Sequence, residues 1–195
     1  MIGPGARALQ SAAGSRSSYA RMAAGAGPAD ILTGKERDFI AARDSFYIAS
    51  ISEGGWPYVQ HRGGPAGFLR HAGGNRIGFA DYSGNRQYLT TAYLTADSRV
   101  ALMLMDYPNR RRLKLIGRAR ISDDPAEIAA FTDPGYPAEP ERAFLIDVTG
   151  FDWNCPQHIT PRFTEAEVRH ATRPLLDEIE ALRARVAQLE NPKEH

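Results

Sequence analysis

Between Arg112 and Arg120 the chain alternates with a period of two. Arg112, Lys114, Arg118 and Arg120 fall on one side, and Leu113, Leu115, Gly117 and Ala119 on the other. An extended strand sends alternate side chains to opposite faces, so one face here belongs to a core and the other carries cations. The rest of the middle of the chain agrees with such a half-buried sheet. Phe46–Ser52 is rich in aromatic and β-branched residues and runs into the turn Glu53-Gly54-Gly55. Trp56–Arg62 then returns as the second strand of a hairpin, broken by Gly63-Gly64-Pro65. Arg76–Ala80 follows the turn His71–Asn75. Arg99–Asp106 is apolar on both faces, and Arg111–Ile121 lies beyond the turn at Pro108-Asn109. Ala143–Val148 is the last strand, with Thr149-Gly150 as the turn after it. Short strands separated by turn signals predict a barrel or a sandwich. Asn85–Leu94 and Pro125–Phe131 read as short helices within it.

The ends differ from this middle. Residues 1–29 contain no Asp or Glu and are rich in Ala, Gly and Ser. They form an N-terminal extension, read either as a transit-like segment or as a short helix around Arg7–Met22 with Leu9 and Met22 as apolar contacts. Thr33 followed by Glu36 has the spacing of a capping box and predicts a helix through about Ala42, with Phe39 and Ile40 on its apolar face. The main domain then spans 30–163. From Thr164 the chain is helical again, opened by a second capping box with Glu167. Pro174 either kinks or restarts this helix. Beyond it, Leu175, Ile179, Leu182, Val186 and Leu189 are spaced 4, 3, 4 and 3, a heptad seam. Two arrangements fit 164–195: a helix lying on its own domain, and a helix pairing across a dimer axis.

Charge and cysteine content narrow the function. The formal net charge is +1, so the surface as a whole is not built to hold nucleic acid. A single cysteine excludes an internal disulfide and any multi-cysteine metal site. No run of 18 apolar residues is present, which predicts a chain without a membrane span and a cytoplasmic location.

Four segments carry candidate chemistry. In Phe79-Ala80-Asp81-Tyr82-Ser83-Gly84-Asn85-Arg86-Gln87-Tyr88 a strand ends, a glycine turn follows and a helix is expected near Asn85. Free N–H groups at a helix start and the planar fork of Arg86 suit a phosphate. A plain strand–helix connection with a solvated arginine gives the same pattern. The cationic face of Arg112, Lys114, Arg118 and Arg120 needs water or anions, and lacks the interleaved aromatics of a base-stacking platform. Gln60-His61-Arg62-Gly63-Gly64 places polar donors and glycines at a strand end, where a ligand can approach the backbone. The loop Trp153-Asn154-Cys155-Pro156-Gln157-His158 is dense in polar and aromatic groups, the kind of loop that often carries function. No further His or Cys supplies a metal set around Cys155 and His158.

Taken together, these segments resemble the pyridoxamine 5'-phosphate oxidase-like family of FMN-binding split barrels. The resemblance rests on Trp56-Pro57-Tyr58 with the polar strand after it, on Phe79 to Arg86, and on Arg111-Arg112-Leu113-Lys114-Leu115-Ile116-Gly117. It implies a mainly β fold with flanking helices, a six-stranded antiparallel split barrel and a homodimer with FMN between the subunits. By that resemblance Gln60, His61, Arg62 and Gly63 line the flavin, and Phe79 and Ala80 touch it through backbone. Asn85 and Arg86 bind its phosphate, Arg112 and Lys114 border the ring, and the loop with Trp153, Gln157 and His158 closes the site from the partner subunit. Trp56, Phe79, Tyr82 and Trp153 are candidate walls for the ring. There are departures. Arg86 stands where the oxidase has lysine, Arg112 where it has glutamine, and Gln60 where it has a phosphate-contacting arginine. The oxidase's C-terminal substrate motif is not recognisable. The implied activity is thus an FMN-dependent oxidoreduction of an unassigned small molecule with an unassigned electron donor, without nucleic acid or membrane. The alternative is a flavin- or haem-binding module without turnover.

Overall fold

In the computed structural model, residues 3–17, 20, 30–84, 86–153 and 156–190 are described. Seven antiparallel strands form one sheet: β1 (Ser45–Ile51), β2 (Pro57–Gly63), β3 (Arg70–His71), β4 (Arg76–Tyr82), β5 (Arg99–Asp106), β6 (Arg111–Ser122) and β7 (Pro140–Trp153). Their order across the sheet is β2-β1-β5-β6-β7-β4-β3. Helices α1 (Pro4–Ala12), α2 (Gly34–Ala41), α3 (Leu89–Ala96), α4 (Pro125–Phe131) and α5 (Glu165–Glu190) flank it. The additional strand beyond the six expected is β3, two residues long, at the start of the segment expected to be a turn.

The sheet curls on itself. β1 and β4 are four steps apart in the strand order, about 19 Å in a flat sheet at ~4.8 Å per step. Yet the Phe46 and Phe79 rings meet edge to face at 5.3 Å. Phe79 also stacks on Phe144 at 5.0 Å, and Phe68, on the β2–β3 connection, stacks on Phe46 at 5.6 Å. The curled sheet is an open barrel with β2 and β3 as its unpaired edges, and these rings join its two halves. Buried Leu102, Leu104, Leu113, Leu115 and Ile146 fill the interior from the middle strands.

Residues 149–150 are not a turn. β7 continues through them to Trp153, and the β6–β7 register shifts at Ile116/Gly117, leaving Thr149 as the extra residue of a bulge. Gly117 sits so close to β7 that a Cβ there would lie 2.4 Å from the Asp147 carbonyl oxygen. The glycines at this point let backbones approach rather than end a strand.

The helix start at Thr33 is as expected, with a further function. The Thr33 N–H and hydroxyl both donate to Glu36 Oε2, at 3.1 and 2.5 Å, while the Trp153 indole N–H donates to Oε1 at 2.9 Å. The capping carboxylate is therefore buried and ties α2 to the end of β7. Burial pushes the Glu36 pKa up, but the hydrogen bonds from Thr33 and Trp153 together outweigh it and hold the group below its ordinary 4.5. A pKa depressed by folding means stabilisation that is present above pH 4.5 and lost as pH falls through the folded-state value. Glu36→Gln is expected to cost about 1–3 kcal/mol at neutral pH. Wild-type tryptophan emission should shift to the red on acidification below pH 4.5, and the shift should be absent in the variant. Equal acid profiles for the two proteins would remove Glu36 from this role.

The N-terminal helix of the described residues is α1, shorter than the predicted 7–22, and Leu9 on it is 74% exposed. Met22 lies outside the described residues. At the other end α5 runs without interruption through Pro174 and buries no residue. Among the described residues no helix is long and apolar enough to cross a membrane.

Candidate functional site

The strand period divides the segment Gln60–Gly63. Gln60 and Arg62 turn toward the barrel side, whereas His61 and Gly63 lie on the opposite, exposed face. On the barrel side Gln60 Oε1 accepts a 2.7 Å hydrogen bond from Thr90 at the start of α3. Arg62 Nη1 donates to Asp81 Oδ1 at 2.5 Å, and its guanidinium lies 5.4 Å from the centre of the Phe144 ring. Arg142, which pairs with Asp81 across β4 and β7, reaches Oδ2 at 3.7 Å and Glu141 at 2.6 Å. Tyr88 completes the cluster, its ring under the Arg142 guanidinium at 4.6 Å and its hydroxyl on Glu141 at 3.2 Å. Asp81 is almost fully buried. Burial raises its pKa and Glu141 adds to the rise, while Arg62 and Arg142 oppose it.

The arginines are not fully satisfied by this arrangement. The Nε–H groups of Arg62 and Arg142 are both buried and make no hydrogen bond among the described residues, although the Arg142 Nε is the atom that lies 3.7 Å from Asp81 Oδ2. A buried donor without a hydrogen-bond acceptor is costly, so donors of this kind suit an anionic oxygen supplied from elsewhere.

The segment leading into α3 corrects the predicted helix start. α3 begins at Leu89, because Arg86 (φ 56°) and Tyr88 (φ 50°) occupy left-handed backbone that interrupts a helix. Arg86 is exposed, and the first-turn N–H groups of α3 are not beside it in sequence as expected. Two left-handed non-glycine residues cost on the order of 1–3 kcal/mol each and concentrate at ligand clamps. Asn85 lies outside the described residues. Phe79 and Ala80 are buried in β4, where they pair with Phe144 and Ala143 of β7, and Phe79 is a core ring rather than a wall.

A second group of predicted residues lies on the exposed sheet face. The register places His61, Tyr47, Met103, Lys114 and Asp152 in one row across β2, β1, β5, β6 and β7. Lys114 Nζ contacts Asp152 Oδ2 at 2.5 Å, and Tyr47 meets the His61 ring edge to face at 5.6 Å. Arg112 shares this face, half-buried. The next row is apolar, and a groove of about 450 Å³ opens over Ala49, Ala101 and Ile116 with Arg99 and Arg118 at its rim.

Two of the four cations of the β6 stripe are paired with carboxylates within the chain, and a third meets a hydroxyl. Besides Lys114–Asp152, Arg118 donates to Ser98 and Arg120 forms a double hydrogen bond with Glu127. Hydrogen bonds from Arg120 and then Ser122 hold the Glu127 pKa at about 2. Trp153 is likewise engaged in its own chain. Phe39 meets it edge-on at 4.8 Å, and Lys35 and Arg111 sit over its ring at 4.7 and 4.9 Å. Trp56 is exposed at the β1–β2 turn, and the Tyr82 hydroxyl accepts from the Asp133 N–H, so the four predicted wall residues do not meet. Gln157 and His158 are exposed, with His158 at φ 65°, and Cys155 lies outside the described residues. Among the described residues no three His, Cys, Asp or Glu groups are arranged to hold a metal ion.

Sequence reasoning misses Arg142 and Thr90 as site residues, and gives Tyr88, at the end of the Phe79–Tyr88 segment, no role. Arg142 precedes the run that predicts the last strand, and only the pairing of Asp81 with Arg142 reveals its place. No local signal marks it.

Comparison with known proteins places this geometry. No curated protein matches the chain. Several solved structures align with part of the chain. HupZ of Group A Streptococcus is 13% identical with a TM-score of 0.49, covering 68% of this chain and 99% of that one. An FMN-binding protein of Syntrophomonas wolfei subsp. wolfei is 11% identical with a TM-score of 0.49, covering 61% and 83%. A Clostridium acetobutylicum protein related to general stress protein 26 is 13% identical with a TM-score of 0.48, covering 69% and 94%. At such scores none of these likenesses bears on function. The profile of the family described as pyridoxamine 5'-phosphate oxidase matches residues 32–147, from the residue before the α2 capping box through six of the seven strands and into the last. With more than half its length matched, the split barrel built by these strands is that of the pyridoxamine 5'-phosphate oxidase family, to which this chain belongs.

Proposed function

We propose that the protein binds FMN in a site completed by a second copy of the chain, and that it is an oxidoreductase acting on a small molecule. The observation that carries this reading is the pair of buried, unsatisfied Nε–H groups of Arg62 and Arg142, beside the left-handed segment that bears Arg86. Charge-assisted donors in a partly desolvated cluster suit a phosphate. The separation of the proposed ligand residues on the sheet supports the reading of two copies. Gln60 and Arg62 point to the barrel side, whereas Lys114 and Arg112 lie on the exposed face of β6, further along the sheet. One chain does not bring them together, and the same groups offered by a second chain can face them.

When bound, the flavin supplies the redox chemistry. The chain's own residues then have binding and electrostatic roles. Arg62, Arg142 and Arg86 hold the phosphate, Gln60 is held by Thr90 at the site, Arg112 places positive charge near the ring, and Lys114, paired with Asp152, offers a donor there. Trp153 acts through its own chain, fixing α2 against β7 rather than walling the ring.

The test is a titration of the protein into FMN, followed by flavin fluorescence. Arg86→Ala is the informative variant, because an exposed loop arginine is removable without loss of core packing. It is expected to weaken FMN binding about 10-fold or more, as for loss of a hydrogen bond to a charged group. Binding of riboflavin, which lacks the phosphate, should be unchanged. Failure of the wild-type protein to take up FMN overturns the reading. Uptake without reduction by any of a panel of donors, NAD(P)H included, leaves a flavin-binding module and removes the enzymatic half.

A further inference from the structure

We propose that α5 forms a parallel two-stranded coiled coil with the α5 of a second copy of this chain. The inference is independent of flavin binding. α5 is a 26-residue helix with no buried residue, although its apolar side chains lie on one stripe. Helices in proteins draw most of their stability from covering such a stripe, and the rest of the described chain does not cover this one. Leu182 and Leu189 are 55% and 73% exposed.

The continuity of the helix through Pro174 lengthens the seam. Leu175, Leu182 and Leu189 occupy the d positions and Ile179 and Val186 the a positions. Because the helix begins at Glu165, Val168 and Thr172 extend the same register upstream by one further heptad. Pro174 then falls at c and the carbonyl it leaves unpaired, that of His170, at f. Both lie away from the seam, so the proline is compatible with pairing.

Two features select the occupant. First, the a positions are β-branched (Thr172, Ile179, Val186) and three of the four d positions are leucine, the combination that favours two parallel strands over higher oligomers. Second, the flanking charges are self-complementary. In a parallel pair each g position faces the e position five residues on in the other helix. Glu178 would face Arg183 of the second copy, and Arg185 would face its Glu190; the remaining pair, Ala171 and Leu176, is apolar. An identical helix therefore meets every g–e requirement of this one. Other charges are already paired within the helix, Glu165 with Arg169 and Arg173 with Asp177.

The experiment is disulfide trapping in the full-length protein. Val186→Cys is placed at an a position in a Cys155→Ser background, and the protein is oxidised mildly at micromolar concentration. In a parallel, in-register pair the two a-position sulfurs face each other, and a covalent dimer accumulates. Adding Leu182→Asp, which sets a charge in the seam, should abolish trapping while leaving the circular dichroism of the barrel intact. Three results overturn the proposal. One is no covalent dimer with Val186→Cys. Another is trapping that Leu182→Asp does not affect. The third is trapping only when Val186→Cys and Leu175→Cys chains are mixed, which is the signature of an antiparallel pair. A dimer that forms through the barrel alone gives the first or second of these, so it is distinguished from the coiled coil.

Discussion

Replacing Phe79 with alanine is expected to cost about 3–5 kcal/mol of stability, the range for truncating a buried phenylalanine. Phe79 is 1% exposed and is the ring that Phe46, Phe68 and Phe144 all touch. Those partners come from β1, the β2–β3 connection and β7, so the side chain closes the curl of the sheet as well as filling volume. Its removal leaves a cavity bordered by rings that cannot all move inward, because each is held by its own strand. At roughly 3–4 °C per kcal/mol for a domain of this size, the melting temperature should fall by about 10 °C or more. Urea denaturation and thermal melts followed by circular dichroism read this directly. A loss under about 1 kcal/mol would mean that the barrel is not closed through this ring. Phe79→Leu, which keeps most of the volume, should recover much of the loss.

Asp81→Ala is the second large effect, also about 3–5 kcal/mol, because it leaves the buried Arg62 without its carboxylate and Arg142 with Glu141 alone. The cost belongs chiefly to Arg62, so it should shrink when Arg62→Met is added. A double-mutant cycle measures that coupling, and strict additivity would contradict the pairing. The pH dependence has a definite sign. Burial raises the Asp81 pKa above its ordinary 3.8. The folded state then holds its proton more tightly than the unfolded state. The associated stabilisation is complete below pH 3.8 and is lost as pH rises through the folded-state value. Asp81→Asn does not titrate, so its stability should fall less than that of wild type over this window. Glu36, with a lowered pKa, contributes the opposite slope, and the two are separable by comparing the Asp81→Asn and Glu36→Gln profiles.

Much of the architecture is legible in the order of the residues, for local reasons. The period of two in β6, the glycine turn after β1 and the capping residues Thr33 and Thr164 each act over a few residues, and each appears where expected. The division of Gln60–Gly63 between two faces is implicit in the same period of two. The heptad of α5 is likewise a property of spacing alone. What local pattern does not contain is which strands become neighbours. β4 pairs with β7 and β1 with β5, across long stretches of chain, and every important pairing depends on that choice. It brings Arg142 to Asp81 and Phe79 to Phe46, while the β6–β7 pairing brings Asp152 to Lys114. The left-handed residues at 86 and 88 also escape the pattern, since neither is glycine and the Asn-Arg-Gln-Tyr run by itself reads as the start of a helix. Sequence alone thus determined six of the strands in outline, the caps and the heptad spacing, because those depend on neighbours along the chain. Tertiary structure decided the charge cluster and the closure of the barrel, because those depend on partners brought together only when the sheet folds.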